Sequence, residues 1–150
     1  MIEFKHVAIK YGDFTAIKDL NLTINAGEFF TFLGPSGCGK TTTLRALVGF
    51  NIPASGQILV DGKNITRESV EKRQIGMVFQ SYALFPTMTV YENIAFGLKV
   101  RKLPKDEIDR QVNQVAEKIR ISSEQLKRNV AELSGGQQQR IALARAIVQE

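Results

Sequence analysis

The octapeptide Gly34-Pro35-Ser36-Gly37-Cys38-Gly39-Lys40-Thr41 satisfies every specified position of the pattern G-x-x-x-x-G-K-[ST]. These residue types suit one kind of chemistry, the holding of a polyphosphate. Glycines at 34, 37 and 39 let the backbone curl until successive amide N–H groups point inward at phosphate oxygens. A helix opening from the loop adds its positive end to the same anion. Lys40 would then reach the β- and γ-phosphates and the Thr41 hydroxyl would ligate Mg²⁺, with Pro35, Ser36, Cys38 and Thr42 lining the site. The competing reading is a glycine-rich turn that carries Lys-Thr by coincidence. The flanks speak against it: Glu28 to Leu33 is a β-branched and aromatic run that reads as a buried strand, and Thr42 to Val48 reads as a helix stopped by Gly49.

A second motif, Leu133-Ser134-Gly135-Gly136-Gln137, lies near the other end of the chain. Ser134 and Gln137 form a capping box, and the segment from Gly136 to Gln149 carries Ile141, Ala144, Ile147 and Val148 on roughly one helical face. A well-capped helix is the plain reading, and it leaves the glycines unexplained. Each costs a helix interior about 0.8–1.0 kcal/mol relative to alanine. They make sense where a backbone must approach something closely, and bare amides at a helix N-terminus favour a phosphate.

The surrounding elements are legible from period and punctuation. Residues 1–10 and 16–25 read as antiparallel strands joined through Tyr11-Gly12-Asp13, and Gln57 to Val60 as a short strand ending at the turn Asp61-Gly62. From Thr89 the character becomes helical. Thr89 to Glu92 is a capping box with Val90, Ile94 and Leu98 along one side. Pro104 starts a further helix with Ile108, Val112, Val115, Ala116 and Ile119 on one face. His6, on a strand, suits a structural or surface role, and Cys38 fills space in the loop unless exposure opens it to alkylation. Ile58 to Asp61 looks like an apolar strand ending in a metal-binding aspartate, but Gly62 follows it, so the hairpin turn is the better reading.

Composition is ordinary for a soluble globular domain, here expected to be α/β from the motifs and not from the percentages: 43% hydrophobic and 23% charged residues, with a net charge of +5. No apolar run approaches the roughly 18 residues that suggest a membrane span. The N-terminus, with Glu3 and alternating polarity, reads as a strand and not as a signal peptide. One cysteine excludes an internal disulfide and suits a reducing compartment. No basic cluster interleaves with aromatic residues, so nucleic acid is not an expected partner.

With both motifs in this order, the chain resembles the ATP-binding subunits of ABC transporters along its whole length. Leu133 to Gln137 matches their signature, and Gly34 to Thr41 their Walker A loop. Tyr11 stands where the family stacks an aromatic ring on adenine. Gln80 closes the strand-like run Ile75 to Gln80 and matches the glutamine that senses Mg²⁺ and the γ-phosphate. The segment Tyr82 to Gly97 resembles the importer branch that serves sugars, polyamines, ferric iron or phosphonates, although Thr87 stands where many importers have histidine.

The resemblance implies a P-loop NTPase fold: a mixed sheet with the loop and antiparallel strands over residues 1–86, and a helical subdomain over 87–150. It implies ATP and Mg²⁺ as cofactors, the metal on Thr41 and Gln80, and a head-to-tail homodimer. In that dimer Ser134, Gly135, Gly136 and Gln137 complete the ATP site of the second subunit. Permease subunits would dock on the Tyr82–Gly97 region, placing the protein in the cytoplasm on the inner face of the cell membrane. The family's strand ending in Asp-Glu and its switch histidine follow the signature helix, and the chain ends at Glu150 without them. The expectation is a partial ATP-binding domain that lacks the C-terminal part of its core. It would bind nucleotide without hydrolysing it, while the complete protein is an ATPase, and its uncovered sheet edge would make the chain poorly soluble. A soluble ABC protein of translation or DNA repair, and a non-catalytic nucleotide-binding remnant, are the alternatives.

Overall fold

The structure is a computed structural model that describes residues 1–148; Gln149 and Glu150, and with them the expected end of the last helix, lie outside the described residues. The chain folds as two compact units, Met1–Ile75 and Gly76 onward. The boundary expected from sequence, after residue 86, falls inside the second unit.

The first unit is built on a four-stranded antiparallel sheet in the order β2-β1-β3-β4. Strand β1 (Ile2–Tyr11) pairs with β2 (Phe14–Ile24) on one side and β3 (Ser55–Val60) on the other, and β4 is the short Lys63–Asn64. Alternation puts Phe4 on the inner face, and a bulge then shifts the register between Phe4 and Val7. His6 sits in that bulge with φ of 51°. The bulge returns Val7 and Ile9 to the core beside Ile58, Ile65, Ala46 and Leu47. Asp61 and Gly62 both have positive φ and bring Val60 opposite Lys63, the two-residue hairpin expected from sequence. The Asp61 carboxylate, well exposed, pairs with the N-terminal amine. Helix α1 (Lys40–Val48) buries Thr43, Ala46, Leu47 and Val48, and α2 (Val70–Arg73) closes the unit.

One expectation fails here. Glu28 to Leu33 is not a buried strand: it joins no ladder, and Phe29 and Leu33 are each 96% exposed. Phe30 and Phe32 pack edge to face on one another, with ring centroids 5.1 Å apart. Side chains of high strand propensity do not make a strand without a neighbour to receive their N–H and C=O groups, and none of the described segments supplies one. The run Ile75 to Gln80 joins no ladder either, although it keeps the strand period, with Ile75, Met77 and Phe79 partly covered and Gly76, Val78 and Gln80 exposed.

The second unit is helical. Helices α3 (Val90–Val100), α4 (Lys105–Lys118), α5 (Ser123–Leu126) and α6 (Gly135–Ile147) enclose a core of Val90, Ile94, Leu98, Ile108, Val112 and Ile141 among others. Local chemistry fixes their starts. Thr89 and Glu92 form the expected capping box, and bonds from the Thr89 backbone and hydroxyl hold the Glu92 carboxyl below the usual carboxylate range. Ser122 and Gln125 cap α5 in the same way. Asn93 is fully buried and fully employed: its Oδ1 accepts from Phe85 N at 2.8 Å, and its Nδ2 donates to the carbonyls of Phe85 and Thr89. The Tyr91 hydroxyl donates to Asp109, and burial together with that carboxylate pushes its pKa up to about 12.

Candidate functional site

The loop between Glu28 and α1 winds around the Lys40 ammonium. Lys40 Nζ donates to the carbonyls of Gly34 at 2.7 Å and Pro35 at 2.6 Å, and lies 3.3 Å from Cys38 Sγ. Gly37 and Gly39 have φ of 83° and 96°, left-handed conformations that a side chain would strain. Gly39 is the N-cap of α1 and offers no side chain to the first-turn amides. The first turn carries no acidic residue, and the basic residue of the last turn is Arg45. The helix end is therefore uncapped by side chains and unopposed by negative charge, the electrostatic condition for an anion. Thr43 is turned inward, its hydroxyl donating to the Gly39 carbonyl at 3.0 Å, whereas Thr41 faces solvent.

Mg²⁺ suits this loop only in company with a phosphate. No group of three or more His, Cys, Asp or Glu residues that could hold a metal occurs among the described residues. A hard cation would take the Thr41 hydroxyl together with oxygens of the bound phosphates and water. That is the usual manner of Mg²⁺ with a nucleotide, so the residues present fit the ion.

Tyr11 ends β1 and is 47% exposed, which leaves about half of its surface accessible to a flat partner. Its hydroxyl accepts a hydrogen bond from Asn51 Nδ2, just beyond α1. The sequence reading treats the ring alone. The bond from Asn51 adds a tether that orients it, and no local pattern signals a contact across forty positions.

Gln80 and the second motif belong to the second unit. Gln80 is exposed and followed by Tyr82 and Ala83, both with positive φ, at 62° and 47°. Two successive left-handed residues without glycine are strained and need an anchor. Arg145 of α6 supplies it: Nη1 donates to the Ala83 carbonyl at 2.7 Å and Nη2 to the Tyr82 carbonyl at 3.0 Å, with the guanidinium over the Phe85 ring. Sequence reasoning left this arginine unassigned because its partners are backbone carbonyls. The Phe85 ring lies against that of Phe96, tilted by 39° with centroids 4.5 Å apart, and Leu84 packs on the helical core, so part of the apolar loop is structural.

Ser134 is the N-cap of α6. Its Oγ accepts from Gln137 N at 3.4 Å, and Gln137 Oε1 accepts from Ser134 N at 2.9 Å. The glycines have no internal reason to be there. A Cβ added to Gly135 or Gly136 would meet nothing within 4 Å, and neither residue has a positive φ. With strain and crowding set aside, the remaining use for two glycines is the approach of something from outside.

A family model described as ABC transporter matches residues 17–150. The spermidine/putrescine import ATP-binding protein PotA of Haemophilus ducreyi is 52% identical over 148 residues, covering 99% of this chain and 40% of its own length. The dimeric structure of MJ0796, a bacterial ABC transporter cassette, matches with a TM-score of 0.88 at 31% identity, covering 99% of this chain and 70% of that one. A dimeric post-hydrolysis state of the same cassette, bound to ADP and Pi, matches with a TM-score of 0.87 at 31% identity and the same coverage. The chain spans about 40% of the length of the curated relatives it matches.

Proposed function

The chain belongs to the ABC transporter family, and from that membership we propose that it is the ATP-binding, energy-coupling part of an importer. MgATP sits on the loop 34–42. The amides of the loop and of the first turn of α1 receive the phosphates, Lys40 leaves its loop carbonyls for the β- and γ-phosphates, and Tyr11 covers the adenine. Thr41 attends the metal, and Gln80 is assigned to it on family resemblance alone. Ser134, Gly135, Gly136 and Gln137 serve the nucleotide of a second subunit, and closure of that dimer is passed to permease subunits through residues 82–97. No helix among the described residues is long and apolar enough to cross a membrane, so a place on the inner face of the membrane would come through those partners.

The observation that carries the reading is the paired design of the helix starts. One lacks a side-chain cap and follows a loop wound around a lysine; the other presents two glycines that nothing among the described residues requires. Hydrolysis needs in addition a positioned base and stabilisation of charge on the transferring phosphoryl group. Gln80 can orient water or metal, but an amide takes no proton.

Binding of a fluorescent ATP analogue tests the nucleotide assignment. Tyr11→Ala should lose about 1–3 kcal/mol for ATP, the worth of one stacked base, and leave triphosphate competition unchanged. Tyr11→Phe keeps the stacking face and loses only the intramolecular bond from Asn51, so it should be nearly neutral for ATP. Equal losses for the two variants would move the role from the ring to the hydroxyl. For the solute, we propose a polyamine, on the strength of relatives named as spermidine/putrescine importers. Cells carrying Lys40→Ala in this gene should fail to take up labelled spermidine or putrescine; unchanged uptake would remove the polyamine assignment.

A further inference from the structure

Arg73 is the only cationic side chain buried among the described residues, 7% exposed, and it is spent on backbone. Its Nη1 donates to the carbonyls of Ala46 and Leu47, both at 2.7 Å. Its Nη2 donates to the Thr66 carbonyl at 2.9 Å, and its Nε to the Glu68 carbonyl at 3.0 Å. Ala46 and Leu47 lie in the last turn of α1, where carbonyls have no partner within the helix. The Arg45 carbonyl beside them is taken by the amides of Gly49, Phe50 and Asn51. The end of the helix is thus closed by a backbone cap and one guanidinium. Gly49 makes room for it: a Cβ there would stand 2.8 Å from Arg73 Nε and 3.0 Å from Cζ, at a φ of 102°. Burial lowers the pKa of the guanidinium and the nearby Glu68 carboxylate opposes the shift, so the group remains a cation at the negative end of the helix.

We propose that Arg73 is a positioning residue for the phosphate loop, tying the last turn of α1 to the backbone of residues 66–68 so that the first turn, with Lys40 and Thr41, is held where the loop needs it. Helix α1 has only nine residues, so its two ends are joined by little more than two turns of hydrogen-bonded backbone. A displacement at its far end is therefore delivered to the amides that face the ligand. Lysine cannot replace the arginine: a single ammonium does not span carbonyls from two segments as the planar fork does.

The proposal rests on the reading of loop 34–42 as a nucleotide site, and the experiment separates the two. Arg73→Lys is compared with Val7→Ala, a truncation of a fully buried β1 side chain that holds none of the α1 carbonyls. Thermal unfolding ranks their stabilities, fluorescent ATP analogue binding reports the loop, and hydrogen exchange over residues 40–48 without nucleotide reports the helix. Arg73→Lys should weaken binding about tenfold, the equivalent of one charge-assisted bond, and speed exchange across α1. Val7→Ala should leave binding near the parent value, and any faster exchange it causes should be no greater over residues 40–48 than over β1. Binding and exchange unchanged in Arg73→Lys, or shifted equally in both variants, would overturn the proposal. Absence of binding in the parent chain would fail the nucleotide reading alone, because the exchange comparison needs no nucleotide.

Discussion

Lys40→Ala is expected to remove nucleotide binding almost completely. The ammonium makes charge-assisted bonds, each worth about 1.5–3 kcal/mol where the partner is charged, and a polyphosphate engages it with more than one oxygen. The loss should therefore reach about 3 kcal/mol or more, at least a hundredfold in affinity. The structure adds a second reason. Lys40 Nζ already holds the carbonyls of Gly34 and Pro35, so alanine also releases the loop from the shape in which its amides converge. The fold should survive, since Lys40 stands at the surface end of α1 and the buried residues of that helix are Thr43, Ala46, Leu47 and Val48. Titration with a fluorescent ATP analogue, beside a thermal melt, separates lost binding from lost structure. Parent-like affinity in a folded variant would strip the loop of its assigned function.

Gly135→Asp is expected to leave the monomer's own nucleotide binding intact and abolish ATP-driven dimerisation. Nothing lies within 4 Å of a Cβ at this position, and an acidic residue in the first turn of α6 suits the helix dipole, so the variant should be at least as stable as the parent. In the proposed head-to-tail dimer that carboxylate would meet the γ-phosphate of the other subunit. Two like charges roughly 4 Å apart at an effective dielectric near 20 repel by about 4 kcal/mol, enough to reduce association about a thousandfold. Size-exclusion chromatography of the protein with MgATP reads the outcome. A dimer that persists unchanged would place the second motif away from any shared site.

Features that depend on neighbours in sequence were legible before the structure. The capping boxes at Thr89–Glu92 and Ser134–Gln137, the Asp61-Gly62 hairpin and the buried stripe of α4 all appear where pattern puts them. Each is decided by a few adjacent residues and one periodicity. The segments 28–33 and 75–80 were less legible because a strand is a relation between segments, and propensity says nothing about whether a partner is at hand. At the candidate site, the loop glycines and Lys40 are announced by their spacing. Asn51, Arg73 and Arg145 are not. Asn51 reaches a hydroxyl forty positions away, and the two arginines bind carbonyls, which every residue has and no motif records. The glycines at 135 and 136 lie between these cases: sequence shows that they cost helix stability, and only the structure shows that nothing among the described residues compensates.

The most direct test of the central claim is a titration of the ¹⁵N-labelled chain with MgATP, followed through its backbone amides at concentrations where it stays monomeric. The account predicts saturable shifts at Gly37, Gly39, Lys40 and Thr41, the residues that form the loop and open α1, while the amides of Gly135, Gly136 and Gln137 stay in place because they await the nucleotide of another subunit. Shifts at residues 135–137 in the monomer without shifts at residues 37–41, or no saturable shifts at either motif, would contradict it.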